Sequence, residues 1–272
     1  MRTFKLTVTR ENQNLGDALS LLTKFPFENI AEAAWKGAIW LQKGGKGKIL
    51  RERDANFILK PKDLVTFYLD PKVLSLPELK HAVCLEETRH YGVWIKNAGV
   101  VTQGTQAGDH TSLLRYVELT KKRETFLVHR LDRETEGLTI IAYTSEGAAK
   151  LSALFQENKI TKTYEAVVLG SITPGISRTI EASLDGKEAV THYKVIDSSE
   201  SKSLLRVEIE TGRLHQIRRH LDYAGYPVMG DPKYGKGNKN RKGLQLLASS
   251  LSFIDPWDKK QKTWDHPSHL TV

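Results

Sequence analysis

Phe126-Leu127-Val128-His129 runs into the polar stretch Arg130-Leu131-Asp132-Arg133-Glu134-Thr135-Glu136, and Gly137 leads into Leu138-Thr139-Ile140-Ile141-Ala142-Tyr143. A short apolar run bounded by a polar loop predicts a strand at Leu138–Tyr143. Downstream, Ser145 is a candidate cap for a helix through Phe155, with Ala148, Leu151 and Leu154 on its apolar side. A strand over Thr163–Leu169 closes at Gly170, and Ala189–Ile196 reads as another. Leu205, Val207 and Ile209 alternate with charged residues as in a half-buried strand. Arg178–Asp185 is polar and weakly patterned, so a loop or long hairpin is expected. Thr211-Gly212 turns the chain into a helix over His215–Tyr223. Pro227, Gly230, Pro232 and Gly235 make the next segment a loop, and the apolar Leu244–Ile254 section predicts an edge strand.

Upstream, Tyr91–Ile95 predicts a strand and Thr111–Glu118 a short helix. Pro71–Pro77 has two prolines and few core residues, as in a linker. Before it, Phe4–Thr9 alternates as a strand, and Asn14 is positioned to cap a helix from Leu15. A second helix begins near Pro26 and ends at Gly37. Short strands then flank the turn Gly44-Gly45-Lys46-Gly47, and Leu64–Leu69 is extended. Strands and helices mixed in this way imply an α+β chain. Its 272 residues suffice for one large domain or a large and a small one.

Lysine and arginine outnumber the acids 41 to 32, and the formal net charge is +9. The excess is clustered: Lys36–Lys62 and Thr211–Lys242 each hold eight basic and two acidic residues. Clustered positive charge attracts polyanions such as nucleic acid. Cys84 is the only cysteine, which excludes an intrachain disulfide and a cysteine-rich metal site. The N-terminus lacks a signal-peptide pattern, and no apolar run reaches the length of a membrane span. The expectation is a cytoplasmic protein without membrane association.

His129-Arg130-Leu131-Asp132 is not isolated. Lys162-Thr163-Tyr164 follows, then Thr211-Gly212-Arg213-Leu214-His215-Gln216-Ile217-Arg218-Arg219-His220-Leu221, then Gly225-Tyr226-Pro227-Val228-Met229-Gly230-Asp231-Pro232. In order and spacing these segments resemble the RluA-type family of pseudouridine synthases, over residues 88 to about 255. More faintly, residues 12–70 resemble the small S4-type RNA-binding module that often precedes that catalytic domain. The resemblance implies an S4-like module over 1–70, a linker over 71–87 and a catalytic domain over 88–272. It also implies a mixed, largely antiparallel central sheet. Three positions depart from the family's pattern. Glu136 stands where serine is usual, Asn97 where proline is usual, and Leu247 where a histidine is expected. Glu136 adds a carboxylate four residues from Asp132, where like charge would disfavour ionisation.

The implied activity is isomerisation of uridine to pseudouridine in structured RNA, ribosomal or transfer RNA, without metal or other cofactor. Asp132 is the implied catalytic carboxylate. It attacks C1′ directly or removes the C2′ proton to give a glycal, and the sequence leaves both open. Arg218 is the implied charge partner that keeps it ionised and oriented. Tyr164 would stack on the uracil, with its hydroxyl available for the C5 proton. Ile217 would pack beneath the site. Arg130 would contact phosphate or fill the space left by an extracted base, and Arg133 and Lys162 are further substrate-binding candidates. Lys162 would share a strand face with Tyr164. Lys43, Lys46, Lys48 and Arg51 are candidates for gripping the RNA backbone. His215 and His220 are badly spaced for zinc, and Gly44-Gly45-Lys46-Gly47 lacks the ending of a phosphate-binding loop. A monomer with no obligate protein partner is expected. The alternative is a catalytically silent RNA-binding or RNA-chaperone protein. A glycosidase using Asp132 with Glu136 would leave the Tyr164 and Arg218 segments unexplained.

Overall fold

The computed structural model describes residues 1–236, 238 and 240–272. Gly237 and Lys239, which fall in the second basic cluster, lie outside the described residues. The chain divides into two compact units, 1–81 with 103–121 and 82–102 with 122–272. The segment 103–121 thus groups with the N-terminal residues, whereas the sequence placed it after the boundary.

In the first unit, β1 (Arg2–Thr7), β6 (Leu64–Leu69), β3 (Ile39–Gln42) and β4 (Leu50–Arg51) form an antiparallel sheet in that order. A separate ribbon pairs β2 (Gln13–Asn14) with β5 (Ile58–Leu59). Asn14 caps α1 (Leu15–Thr23) as expected, its side chain accepting from the Asp17 amide. Leu15 and Leu19 of α1 meet Ile30 and Ala34 of α2 (Phe27–Trp35) over Ile39, Val65 and Phe67 of the sheet. The expected linker contains a helical turn, α3 (Pro71–Leu74), because Asp70 caps it and Pro71 is preset for a first helical position. α4 (Leu113–Lys121) completes the unit.

Among the described residues, the second unit is built on a ten-stranded sheet. The path is β12 (Ser177–Glu181), β13 (Val190–Ser198), β14 (Lys202–Ile209), β11 (Thr161–Leu169), β15 (Leu246–Ile254), β10 (Glu136–Ala142), β8 (Tyr91–Lys96) and β7 (Val83–Glu87). In addition β9 (Phe126–Leu127) pairs with β10, and β16 (Gln261–Asp265) with β15. Only β10 and β15 run parallel among these pairings of described residues, so the sheet is mixed and largely antiparallel.

Two expectations change here. β15 is not an edge strand but lies between β11 and β10, which suits its nearly continuous buried run. The weakly patterned 178–185 segment does form the expected hairpin, from β12 at one edge of the sheet, where only Ile180 is buried, back into β13. α5 (Ser145–Gln156) is capped by Thr144, one residue earlier than Ser145, through the Gly147 amide.

Two cores hold the sheet. α6 (Gln216–Tyr223) places Ile217 and Leu221 with Tyr164, Leu205, Val207 and Leu246, while Leu151 of α5 packs with Val93, Leu138, Ile140 and Phe253. Gly137 marks the parallel junction. Its φ is +126°, and a Cβ there would collide with the Ala248 carbonyl.

Candidate active site

The 130–135 loop joins β9 to β10, and its backbone is tied down by groups outside it. The Thr102 hydroxyl accepts from the Leu131 amide at 3.1 Å and donates to the Leu131 carbonyl at 3.0 Å. Gly99 N–H donates to the Arg133 carbonyl at 2.8 Å. Lys96 is fully buried, and its ammonium donates to the carbonyls of Asn97, Val100 and Arg133 at 3.2, 2.8 and 3.3 Å. Burial lowers its pKa to about 8, against the pull of Asp132, Glu134 and Glu136. His129 fixes the other end of the loop. Its Nε2 accepts from the Ile140 amide at 2.8 Å and its ring stacks on Phe155. Burial, helped by Lys162, lowers the His129 pKa to about 3, so the ring is a neutral structural acceptor.

This loop brings Asp132 to Arg218. The start of α6 is pinned by Gln216, whose amide group donates to the Val190 carbonyl and accepts from Thr211 Oγ1 and the Arg213 amide. Arg218 is 1% exposed. Its Nη1 donates to Asp132 Oδ2 at 3.2 Å, and Glu134 Oε2 lies 3.7 Å from the same nitrogen. Nε and Nη2 donate to the two oxygens of Asp231 at 2.7 and 2.8 Å. Burial works against the Arg218 charge, but Asp231 and then Asp132 outweigh it and raise its pKa. Burial likewise opposes the Asp231 charge. The Arg218 bonds and the amides of Lys233 and Tyr234 prevail, holding its pKa below the usual value.

Tyr164 reaches the same cleft from β11. At Tyr164 the β11–β15 register slips, leaving Ser249 as the extra residue. Such a bulge re-aims the side chains beside it. The ring is 9% exposed, and burial followed by the Asp132 charge pushes its hydroxyl pKa well above normal. Asp132, Tyr164, Arg218, Ile217 and Arg130 all line one open cleft of about 460 Å³, together with Thr135, His215 and Leu246. Arg130 is exposed at it.

Other expected residues lie elsewhere. Lys162 does share the buried face of β11 with Tyr164, but it lines a neighbouring cavity with His192 and Glu210. The Arg133 side chain turns to the Gly99 carbonyl at 3.2 Å. Lys43, Lys46 and Lys48 are exposed on the first unit. Arg51 is committed within that unit. It lies 3.2 Å from Asp109, donates to the Thr105 and Gly37 carbonyls, and covers the Trp40 ring.

Asp231 and His215 were missed as site residues. Asp231 stood in a quoted segment, but its partner is fixed only by folding. His215, considered only as a metal ligand, places Nε2 3.8 Å from Asp132 Oδ2. The Glu136 and Leu247 departures are register partners in the β10–β15 pairing, and Glu136 faces His266 at 3.4 Å and His269 at 4.0 Å. The added carboxylate therefore has imidazole neighbours of its own.

The family model described as RNA pseudouridylate synthase matches residues 90–223. A ribosomal large subunit pseudouridine synthase D of Buchnera aphidicola is 30% identical over 253 residues, covering 80% of this chain and 79% of that protein. The chain belongs to the RNA pseudouridylate synthase family. Members of this family are RNA-modifying isomerases. The protein of the same name from Pseudomonas aeruginosa is 39% identical, but over 55% of this chain and only 52% of its own length, so that match spans about half of the relative. The human RNA pseudouridylate synthase domain containing 1 shares the fold, with a TM-score of 0.59 at 22% identity over 69% of this chain and 84% of that one. No helix among the described residues is long and apolar enough to cross a membrane.

Proposed function

We propose that this pseudouridylate synthase isomerises specific uridines in structured ribosomal or transfer RNA, with Asp132 as the reacting carboxylate. The observation that carries this is the convergence of Asp132, Arg218 and Tyr164 on one cleft. The isomerisation breaks the C1′–N1 bond, forms C1′–C5, and moves one proton from C5 to N1. No electrons leave the uridine, so the stoichiometry asks for no redox cofactor. A carboxylate suits either route, attack at C1′ or removal of the C2′ proton, provided it is ionised and aimed. Arg218 aims it, and Asp231 holds two nitrogens of the guanidinium so that Nη1 is left for Asp132.

Tyr164 acts through its ring. With its hydroxyl pKa raised by burial and by Asp132, it holds its proton at neutral pH and stacks on the uracil instead of serving as a base. Arg130, exposed at the cleft, meets phosphate or the gap left by the extracted base. Ribosomal RNA is favoured by the names of the relatives. The first unit serves as an S4-like RNA-binding module, with Lys43, Lys46 and Lys48 on the backbone of a folded RNA. The protein works as a cytoplasmic monomer.

The test is Asp132→Asn in a purified assay that counts pseudouridine in RNA. RNA binding is expected to stay within about threefold of the parent, while turnover falls by about 10³-fold or more, as for loss of a nucleophile or its base. Equal pseudouridine yield from mutant and parent would remove Asp132 from the reaction.

A further inference from the structure

His215 sits one residue before α6, with φ 53° and ψ 31°. A left-handed backbone is uncommon for a residue with a side chain, and such outliers gather at functional sites. Here it turns the imidazole into the Asp132 cleft. Nδ1 lies 3.1 Å from the Tyr234 hydroxyl, and the two rings meet edge-on at 82°. Tyr234 is itself anchored, because its amide donates to Asp231, the residue that holds Arg218.

The second nitrogen, Nε2, faces Asp132 Oδ2 at 3.8 Å, the same oxygen that Arg218 Nη1 addresses at 3.2 Å. Two donors converging on one carboxylate oxygen leave the other, Oδ1, for a different task. We propose that His215, held by Tyr234, is a positioning residue that works with Arg218 to anchor Oδ2, so that Oδ1 is the oxygen presented to the sugar.

The groups facing His215 set its proton. Burial lowers its pKa, and Arg218 and Lys233 add to that, against Asp132 and Asp231. The ring is therefore neutral at neutral pH, with one proton to place. Arg218 and Lys233 both stand 5.3 Å from the Tyr234 ring centroid, which favours that phenol as a hydrogen-bond donor. Tyr234 O–H then donates to Nδ1, and the ring proton sits on Nε2, directed at Asp132. A distance of 3.8 Å exceeds a hydrogen bond, but hydrogen bonds at catalytic groups commonly tighten when substrate binds.

This inference rests on Asp132 being the reacting carboxylate. The experiment is steady-state pseudouridine formation by the full chain, on an RNA that the parent modifies. Variants are His215→Ala, His215→Gln, His215→Asn, Tyr234→Phe and the Ala/Phe double. Misplacing a reacting group by about an ångström can cost about 100-fold. His215→Ala should lower kcat by about 10- to 100-fold with KM within about threefold. Glutamine carries its amide nitrogen near the Nε2 position and asparagine near Nδ1. His215→Gln should stay within about fivefold of the parent, and His215→Asn should resemble alanine. Tyr234→Phe should slow the parent about three- to tenfold but leave His215→Ala unchanged, as expected for residues acting in series.

A His215→Ala kcat within about twofold of the parent would overturn the proposal. So would equal activities of the Gln and Asn variants, or a loss confined to KM. If the alanine variant fails to fold, the comparison of Gln with Asn decides. A parent that forms no pseudouridine, or an active Asp132→Asn, defeats the underlying function instead. An active parent, a dead Asp132→Asn and an unimpaired His215→Ala defeat only the role of His215.

Discussion

Asp231→Asn removes one charge from a pair that water scarcely reaches. Arg218 and Asp231 are 1% and 2% exposed, and their two parallel bonds measure 2.7 and 2.8 Å. Asparagine can still accept from the Lys233 and Tyr234 amides through Oδ1. Its NH2, however, turns a donor toward Arg218. Breaking a buried pair from one side costs about 3–5 kcal/mol, because the remaining charge stays desolvated. Arg218 keeps Asp132 at 3.2 Å, which puts the loss near the lower end, roughly 3 kcal/mol. For a unit of this size that corresponds to a fall in Tm of about 6–12 °C. The transition to follow is that of the second unit, by intrinsic fluorescence of Trp94, Trp257 and Trp264. Arg218→Met/Asp231→Leu should be more stable than Asp231→Asn, since an apolar pair needs no counter-charge. It should nevertheless lose nearly all pseudouridine formation, because the guanidinium that addresses Asp132 at 3.2 Å is gone. A Tm for Asp231→Asn within about 1 °C of the parent would refute the claim that this ion pair supports the site.

Two further outcomes are expected. Lys96 has a folded pKa of about 8, below the ordinary lysine value, so between about pH 8 and 10.5 the unfolded chain binds more protons and stability must rise with pH. Measured against Lys96→Met in urea titrations, the parent should gain up to roughly 3 kcal/mol across that window, and a pH-independent difference would contradict it. In the first unit, Lys46→Ala and Lys48→Ala should each reduce the slope of log RNA affinity against log salt by about 0.7–0.9 with Tm unchanged. Arg51→Ala should lower the Tm of that unit, since its guanidinium is held by Asp109. Unaltered salt slopes in both lysine variants would take these lysines off the RNA.

Local pattern was enough wherever one element has one buried face. The alternation through Leu205, Val207 and Ile209, and the Asn14 cap before Leu15, appear in the structure as read. Errors came where neighbours decide. Thr144 and Ser145 are adjacent hydroxyls, and only backbone geometry selects the cap. The hairpin expected over 178–185 does form, although β12 buries one side chain and its strand depends on the edge that β13 offers. β15 looked terminal in the chain, yet its pairing with β10 and β11 puts it inside the sheet.

The sequence by itself determined the chemistry on offer. A carboxylate at 132, a guanidinium at 218 and an aromatic ring at 164 lie in ordered segments that resemble those of the pseudouridine synthases. Tertiary structure alone decided how these groups are held. The pairing of Asp231 with Arg218, the approach of His215 to Asp132, and the turn of the Arg133 side chain to the Gly99 carbonyl have no periodic signature. Each depends on where a loop's side chain points, and that direction is set by distant contacts such as Lys96 on the Arg133 carbonyl and Gln216 on β13. Side-chain direction in irregular segments is a property of the packed chain, and residue order alone does not encode it locally.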